Sequence, residues 1–243
     1  MYDAFSQMEL LLGQEGVDCL GRARIAVFGL GGVGSYAVEA LARCGVGSLT
    51  LVDHDAVTVA NINRQLFALH STVGRKKVQI AKERIRDIDE NILVHTYETF
   101  YNQDTAGMFD LRSYDYIVDA MGTMESKLLL IERASACHTP VISSLATEGK
   151  INPSRFEITD ISRVSVCPLA KAMRAQLRKK GIRKIKVLYS RERAFRELAD
   201  LRGKRQRDAD RLTGSISFVS SVAGMLIAGE VVRDLLAKKP GKE

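Results

Sequence analysis

Between residues 53 and 77 the chain reads "DHDAVTVANINRQLFALHSTVGRKK", which sets Asp53, Asn61, Arg64, Gln65 and Lys77 in the spacing D-x7-N-x2-RQ-x11-K. A guanidinium and an ammonium close behind an acid suit a reaction in which charge builds on a leaving pyrophosphate, because fixed cations offset that charge. The acid has its own use. A carboxylate at the end of a strand accepts hydrogen bonds from ribose hydroxyls. Any one of these residues alone reads as a surface residue; the shared spacing makes them a set.

Upstream, residues 29–34 read "GLGGVG". Gly29, Gly31 and Gly32 permit a tight turn and let backbone N–H groups approach phosphate, and a helix opening there adds positive potential. The loop alone serves NAD and ATP equally. Arg64 and Lys77 turn the reading toward ATP, since a hydride-transfer enzyme has no evident need for them.

These residues need a frame. Apolar runs at Ile25–Phe28, Leu49–Val52, Leu93–Thr96, Tyr116–Val118 and Val141–Ser143 read as strands. Helical spacing separates them at Val33–Cys44, at Lys76–Ile88 (apolar at Val78, Ala81, Ile85 and Ile88) and at Leu128–Ala136 before Pro140. Strands alternating with helices predict an α/β fold, a doubly wound, mostly parallel Rossmann-like sheet with ligands at the carboxyl ends of its strands. After Thr159 the pattern changes. Leu169–Lys180 reads as a basic helix ended by Gly181, Ile185–Tyr189 as a strand, and residues 190–212 as a solvated helix or loop. The expected layout is one domain over residues 1–243, with a basic insertion at about 163–213 and an apolar C-terminal helix at about 216–237.

Composition narrows the class. The chain is 46% hydrophobic and 27% charged, as soluble globular proteins are. Residues 1–21 show no basic stretch leading into an apolar run, so no signal peptide is expected. Cys19, Cys44, Cys137 and Cys167 are dispersed with no Cys-x-x-Cys pair, which disfavours a zinc ribbon and fits a reduced cytoplasmic setting. Residues 216–232 are apolar but short for a membrane span and contain Glu230, so a core or dimer-interface helix is expected. His54 flanked by Asp53 and Asp55 gives no ligand spacing with the other histidines, and no metal site is assigned. Ser143–Ser144 lacks the glycine-flanked elbow of a serine hydrolase.

Charge is uneven. Residues 171–211 carry a net +11 and the rest of the chain a net −4. Lys171, Arg174, Arg178, Lys179, Lys180, Arg183, Lys184 and Lys186 are therefore candidate contacts to the phosphates of a nucleic acid, with a solvated charged face as the alternative.

The blocks "ELLLGQEG", "GLGGVG", "NINRQLFALHSTVGRKK" and "YDYIVDAMGT" resemble the E1-like superfamily of adenylating enzymes. "FEITDISRVSVCPLAKAMR" and "GSISFVSSVAGMLIAGEVV" narrow the resemblance to its tRNA threonylcarbamoyladenosine dehydratase family. The resemblance implies ATP with Mg²⁺ as cofactors, tRNA as substrate, a homodimer, and a sulfur-transfer protein or cysteine desulfurase as a further partner. It implies that Gly29, Gly31 and Gly32 cradle the phosphates and that Asp53 holds the ribose. It also implies that Asn61, Arg64 and Lys77 act on the phosphates with Gln65 in support, and that Asp119 shapes the far side of the site.

The chain departs from the family pattern at four places. Gly122 stands where relatives carry an aspartate that helps bind Mg²⁺-ATP, Gln7 where they often carry an arginine, and Ala146 and Glu148 where they tend to have glycines. Two alternatives stay open beside the dehydratase. One is adenylation of a ubiquitin-like or sulfur-carrier protein; the other is a relative that binds nucleotide and tRNA without turnover.

Overall fold

A computed structural model describes residues 4–145, 147–165, 167–192 and 214–237. Seven strands form one sheet: β1 (Arg24–Phe28), β2 (Ser48–Val52), β3 (Leu93–Tyr97), β4 (Tyr116–Asp119), β5 (Val141–Ser144), β6 (Phe156–Asp160) and β7 (Lys186–Ser190). Their order is β3-β2-β1-β4-β5-β7-β6, all parallel except β6 against β7. The central strands are buried along nearly their whole length, so their sequences are continuous apolar runs rather than alternations.

Helices α1 (Ser6–Arg22), α2 (Gly32–Arg43), α3 (Lys77–Ile88) and α6 (Ser217–Ala237) contribute to one core layer, and α4 (Met124–Ala136) and α5 (Pro168–Lys179) to the other. The strands and helices read from sequence all appear, with α4 starting a turn earlier than Leu128. Two elements went unread. Helix α1 breaks at Gly13 (φ 68°), and β6 is an antiparallel edge strand whose alternating "FEITD" gives a weak signal.

The basic stretch is not a simple insertion. Met173 and Leu177 seat α5 in the core, and β7 lies inside the sheet between β5 and β6, with Val187 and Leu188 fully buried. Residues 193–213, which hold most of the predicted solvated helix or loop, lie outside the described residues.

Helix α6 answers the question raised by its apolar sequence. Its inner face (Val219, Ala223, Ile227, Val231 and Leu235) is core. It crosses α2 closely at Gly224, where a Cβ would sit 2.4 Å from the Val33 carbonyl oxygen. Phe218, Met225 and Leu226 remain exposed on the outer face. Among the described residues, no helix is long and apolar enough to cross a membrane.

Candidate nucleotide site

Phe28, Val52 and Asp119 lie in register at the carboxyl ends of β1, β2 and β4. Gly29, Asp53 and Ala120 therefore leave the sheet at one height, where the strand order reverses direction and open α/β sheets bind ligands. Gly29 (φ 91°) makes the turn, its N–H donating to the Val52 carbonyl at 2.8 Å. A Cβ on Gly29 would lie 2.6 Å from the Ala120 oxygen, and one on Gly34 1.8 Å from the Gly29 oxygen. Gly32 is small for a different reason, because a Cβ there would meet Ser220 of α6 at 2.9 Å. Gly31 alone faces open space, with nothing within 4 Å of its Cβ position. Three of the four loop glycines thus divide the work. Gly29 and Gly32 hold the loop shut against its neighbours, and Gly31 leaves the α2 N-terminus approachable by a phosphate.

Asp53 is buried, and its two carboxylate oxygens accept from the Leu30 N–H (2.6 Å) and the Asp55 N–H (2.8 Å). It therefore ties β2 to the glycine loop while keeping lone pairs for a ribose hydroxyl. Lys77, at the start of α3 and only 3% exposed, places Nζ 2.7 Å from Asp55 and 3.8 Å from Asp53. Burial alone would raise the Asp55 carboxyl, but Lys77 outweighs it and holds Asp55 below its ordinary value. The ammonium donates to Asp55 and stands in ion-pair range of Asp53 without a hydrogen bond to it, which leaves donor capacity for a phosphate. Asp53, His54 and Asp55 also bring one ligand atom each within 4.8 Å of one another, but Lys77 already supplies the cation there.

Asn61 is spent on its own turn, its side-chain oxygen accepting from the Thr58 N–H at 3.1 Å. Arg64 donates to the Ala60 carbonyl (2.6 Å) and to Asn63 (3.2 Å) through one guanidinium nitrogen. The Arg64 carbonyl oxygen lies 3.4 Å from the Cβ position of Gly32, so this segment abuts the glycine loop. Gln65 is buried behind it. Asn63 donates to the Ser215 carbonyl at 2.9 Å and the Leu66 N–H to Ser35 Oγ at 3.2 Å, which anchors the segment to the approach of α6 and to α2.

Asp119, expected to shape the far side of the site and to take part in binding the cofactor, is turned into the core. It is fully buried, with Lys127 Nζ 3.1 Å from each of its oxygens and Ser143 Oγ donating to it at 2.6 Å. It supports the wall of the site from behind. Gly122 is exposed, with nothing within 4 Å of its Cβ position. Glu148 is exposed in the turn after β5, Gln7 is exposed in the first turn of α1, and Ala146 lies outside the described residues.

These features fit ATP: an open glycine at a helix N-terminus, a ribose acid, and a buried lysine beside it. They do not provide a protein site for Mg²⁺. Asp53, Asp55 and Asp119 are each engaged by backbone N–H groups or lysine, and Gly122 offers no carboxylate. Mg²⁺ is usually held by one or two carboxylates together with substrate phosphates.

The basic residues divide. Lys186 opens β7 and is ion-paired with Glu230 (2.6 Å) and Asp234 (2.6 Å). Arg174 donates to the carbonyls of Ile161 (2.9 Å) and Val164 (2.5 Å), and Lys180 pairs with Glu132 near the end of α4. Lys186 and Arg174 thus act within the fold, which removes them from the RNA-contact set, and Lys180 is partly committed. Lys171, Arg178, Lys179, Arg183 and Lys184 are exposed. Residues 178–184 lie just before β7, at the amino ends of the strands, a sheet's height from the glycine loop. At that same end a cavity of about 630 Å³ opens among Cys19, Arg22, Asp115 and His138, remote from the site chemistry.

The sequence reading did not pick out Lys127, Ser220 or Asp55 as supports. Each is defined by a partner distant in the chain or by a neighbour's charge, and only the "DHD" acid pair left a visible mark.

Residues 5–243 match the sequence profile of the ThiF family. The Bacillus subtilis tRNA threonylcarbamoyladenosine dehydratase is 42% identical over 97% of this chain and 96% of its own. The crystal structure of the Escherichia coli tRNA N6-threonylcarbamoyladenosine dehydratase in complex with ATP superposes with a TM-score of 0.86 at 29% identity. It covers 97% of this chain and 94% of that one. The same E. coli enzyme in complex with AMP also gives a TM-score of 0.86, covering 98% and 97%.

Proposed function

Because the chain belongs to the ThiF family and, within it, to the tRNA threonylcarbamoyladenosine dehydratases, we propose that it uses ATP to cyclise N6-threonylcarbamoyladenosine in tRNA with loss of one water. The observation that carries this reading is the meeting of Asp53, Lys77 and the open face of Gly31 at the carboxyl ends of β1 and β2.

The substrate carboxylate attacks the ATP α-phosphate; an oxygen–phosphorus bond forms and pyrophosphate leaves. Hydroxide, a poor leaving group, is thereby exchanged for AMP. The neighbouring carbamoyl nitrogen or oxygen then attacks the activated carbonyl, AMP departs, and the ring closes with loss of the carbamoyl proton. No enzyme nucleophile is required. Asp53 orients the ribose, the α2 N-terminus and Gly31 receive phosphate oxygens, and Arg64 and Lys77 offset the charge growing on pyrophosphate. Asn61 acts on the phosphates by turning from its local bond, and Gln65 supports Arg64 from the core. Positioning and electrostatics of this kind supply several kcal/mol each. Mg²⁺ enters as the counter-ion carried on ATP, with no protein ligand assigned.

Lys171, Arg178, Lys179, Arg183 and Lys184 engage tRNA phosphates, giving steep salt dependence. Their distance from the loop means that they grip the body of the tRNA while the modified base reaches the strand ends. The exposed Phe218, Met225 and Leu226 of α6, with Leu10 and Leu11 of α1, form the apolar surface of a homodimer. Cytoplasmic residence agrees with four free cysteines. Sulfur-carrier activation is disfavoured because burial pushes the Cys44 thiol up and the other three are scattered and partly buried.

The deciding experiment incubates the protein with Mg²⁺, ATP and tRNA bearing threonylcarbamoyladenosine, then weighs the digested nucleosides. The expected product is lighter by one water. An unchanged mass, beside a working relative, overturns the dehydratase and leaves a protein that binds nucleotide and RNA.

A further inference from the structure

Lys127 is 2% exposed, in the first turns of α4, with its ammonium enclosed by the ends of two strands. Nζ lies 3.1 Å from both Asp119 oxygens at the end of β4, 2.8 Å from the Ser144 carbonyl and 3.5 Å from Ser143 Oγ at the end of β5. Ser143 Oγ closes the ring by donating to Asp119 at 2.6 Å. Asp119 also accepts from the Met121 N–H at 3.2 Å, which is the next turn of the chain. That turn, Ala120–Met121, is the backbone against which Gly29 is packed.

Two devices thus hold the nucleotide crevice, one on each side. On the β2 side Asp53 grips the Leu30 N–H. On the β4 side Asp119 grips the Met121 N–H, and Asp119 is itself fixed by a buried cation. A lone buried carboxylate would take up a proton or draw in water, and in either state it would hold the turn less firmly.

We infer that Lys127 is a positioning residue for the nucleotide. By neutralising Asp119 and joining the ends of β4 and β5, it fixes the Ala120–Thr123 turn that forms the second wall of the crevice. The inference rests on the nucleotide reading above and assigns Lys127 no contact with substrate. A residue serving stability alone would leave ATP affinity unchanged once charge balance was restored; a positioning residue would not.

The test compares Lys127→Met, the charge-balanced double variant Asp119→Asn/Lys127→Met, and the milder Ser143→Ala. Melting temperature, direct ATP binding by calorimetry, and the KM for ATP against kcat are read for each. Lys127→Met is expected to melt well below the wild type. The double variant should regain most of that loss yet bind ATP about tenfold or more weakly, with KM raised and kcat largely kept. Ser143→Ala should weaken ATP binding severalfold at near-normal melting temperature; it decides the matter if neither lysine variant folds. A double variant, or failing that Ser143→Ala, with wild-type ATP affinity overturns the inference while leaving the dehydratase reading intact. A wild-type protein that binds no ATP overturns both.

Discussion

Restoring the missing carboxylate by Gly122→Asp tests the crevice most directly. Nothing lies within 4 Å of the Cβ that the substitution adds, the residue is exposed, and its φ lies outside the left-handed region. The fold therefore has room for it, and removing a glycine narrows the unfolded ensemble, which is worth about 0.4–1 kcal/mol of stability where the conformation is compatible. The carboxylate would stand at the turn between the end of β4 and α4, the wall opposite Asp53. One added charged interaction to Mg²⁺-ATP is worth about 1.5–3 kcal/mol, which at 1.36 kcal/mol per decade means a rise of roughly ten- to a hundredfold in kcat/KM for ATP. Pyrophosphate release under varied ATP, with a thermal melt alongside, reads both effects. A melting temperature lowered by several degrees would refute the steric reasoning. An unaltered kcat/KM in a stable variant would show that the crevice binds its nucleotide without an acid at this turn.

Other perturbations separate the roles assigned here. Arg64→Ala and Lys77→Ala should each reduce pyrophosphate release about 10²–10³-fold. Lys77→Ala should also melt lower, since it strips Asp53 of a buried partner; release at the wild-type rate from either variant would remove it from the reaction. Gly224→Ala should destabilise by about 1–3 kcal/mol, because even a methyl group collides with the α2 backbone. That corresponds to a fall of several degrees, and an unchanged melt would mean that the two helices part freely. A pH effect follows from Glu39, whose carboxyl is raised by burial but held below its ordinary value of 4.5 by Arg84 and Arg43. With the folded pKa depressed, its stabilisation is present above pH 4.5 and is lost as pH falls through the folded value. Denaturant titrations of Arg84→Met should show a shallower acid decline than the wild type; parallel curves would contradict the pairing.

The sequence made the parallel half of the fold legible because buried parallel strands and amphipathic helices leave periodic marks. The D-x7-N-x2-RQ-x11-K spacing made one side of the site legible because its residues lie close together in the chain. The other side was hidden. Lys127 reads as an ordinary polar position in "MESKLLLIE", since its burial is decided by β5, sixteen residues onward. Asp119 does end a strand, as the sequence suggests, yet whether it faces ligand or core depends on that same lysine. In the basic stretch, formal charge misled at Lys186 and Arg174. The acids and carbonyls that absorb them lie on α6 and in the turn after β6, and no local pattern records them.

The close crossing of α2 and α6 at Gly224 has a consequence for how the chain comes to be folded. Helix α2 opens with the glycine loop, yet its packing partner α6 lies far along the chain, so the loop cannot be seated before α6 has been made. Nucleotide binding then requires α6, and a chain that stops short of it presents an uncovered α2. Chains stalled before Gly214 are expected to be cut within α2 by a probing protease, and chains that include α6 to resist. Equal resistance would show that the first half of the molecule seats its own loop.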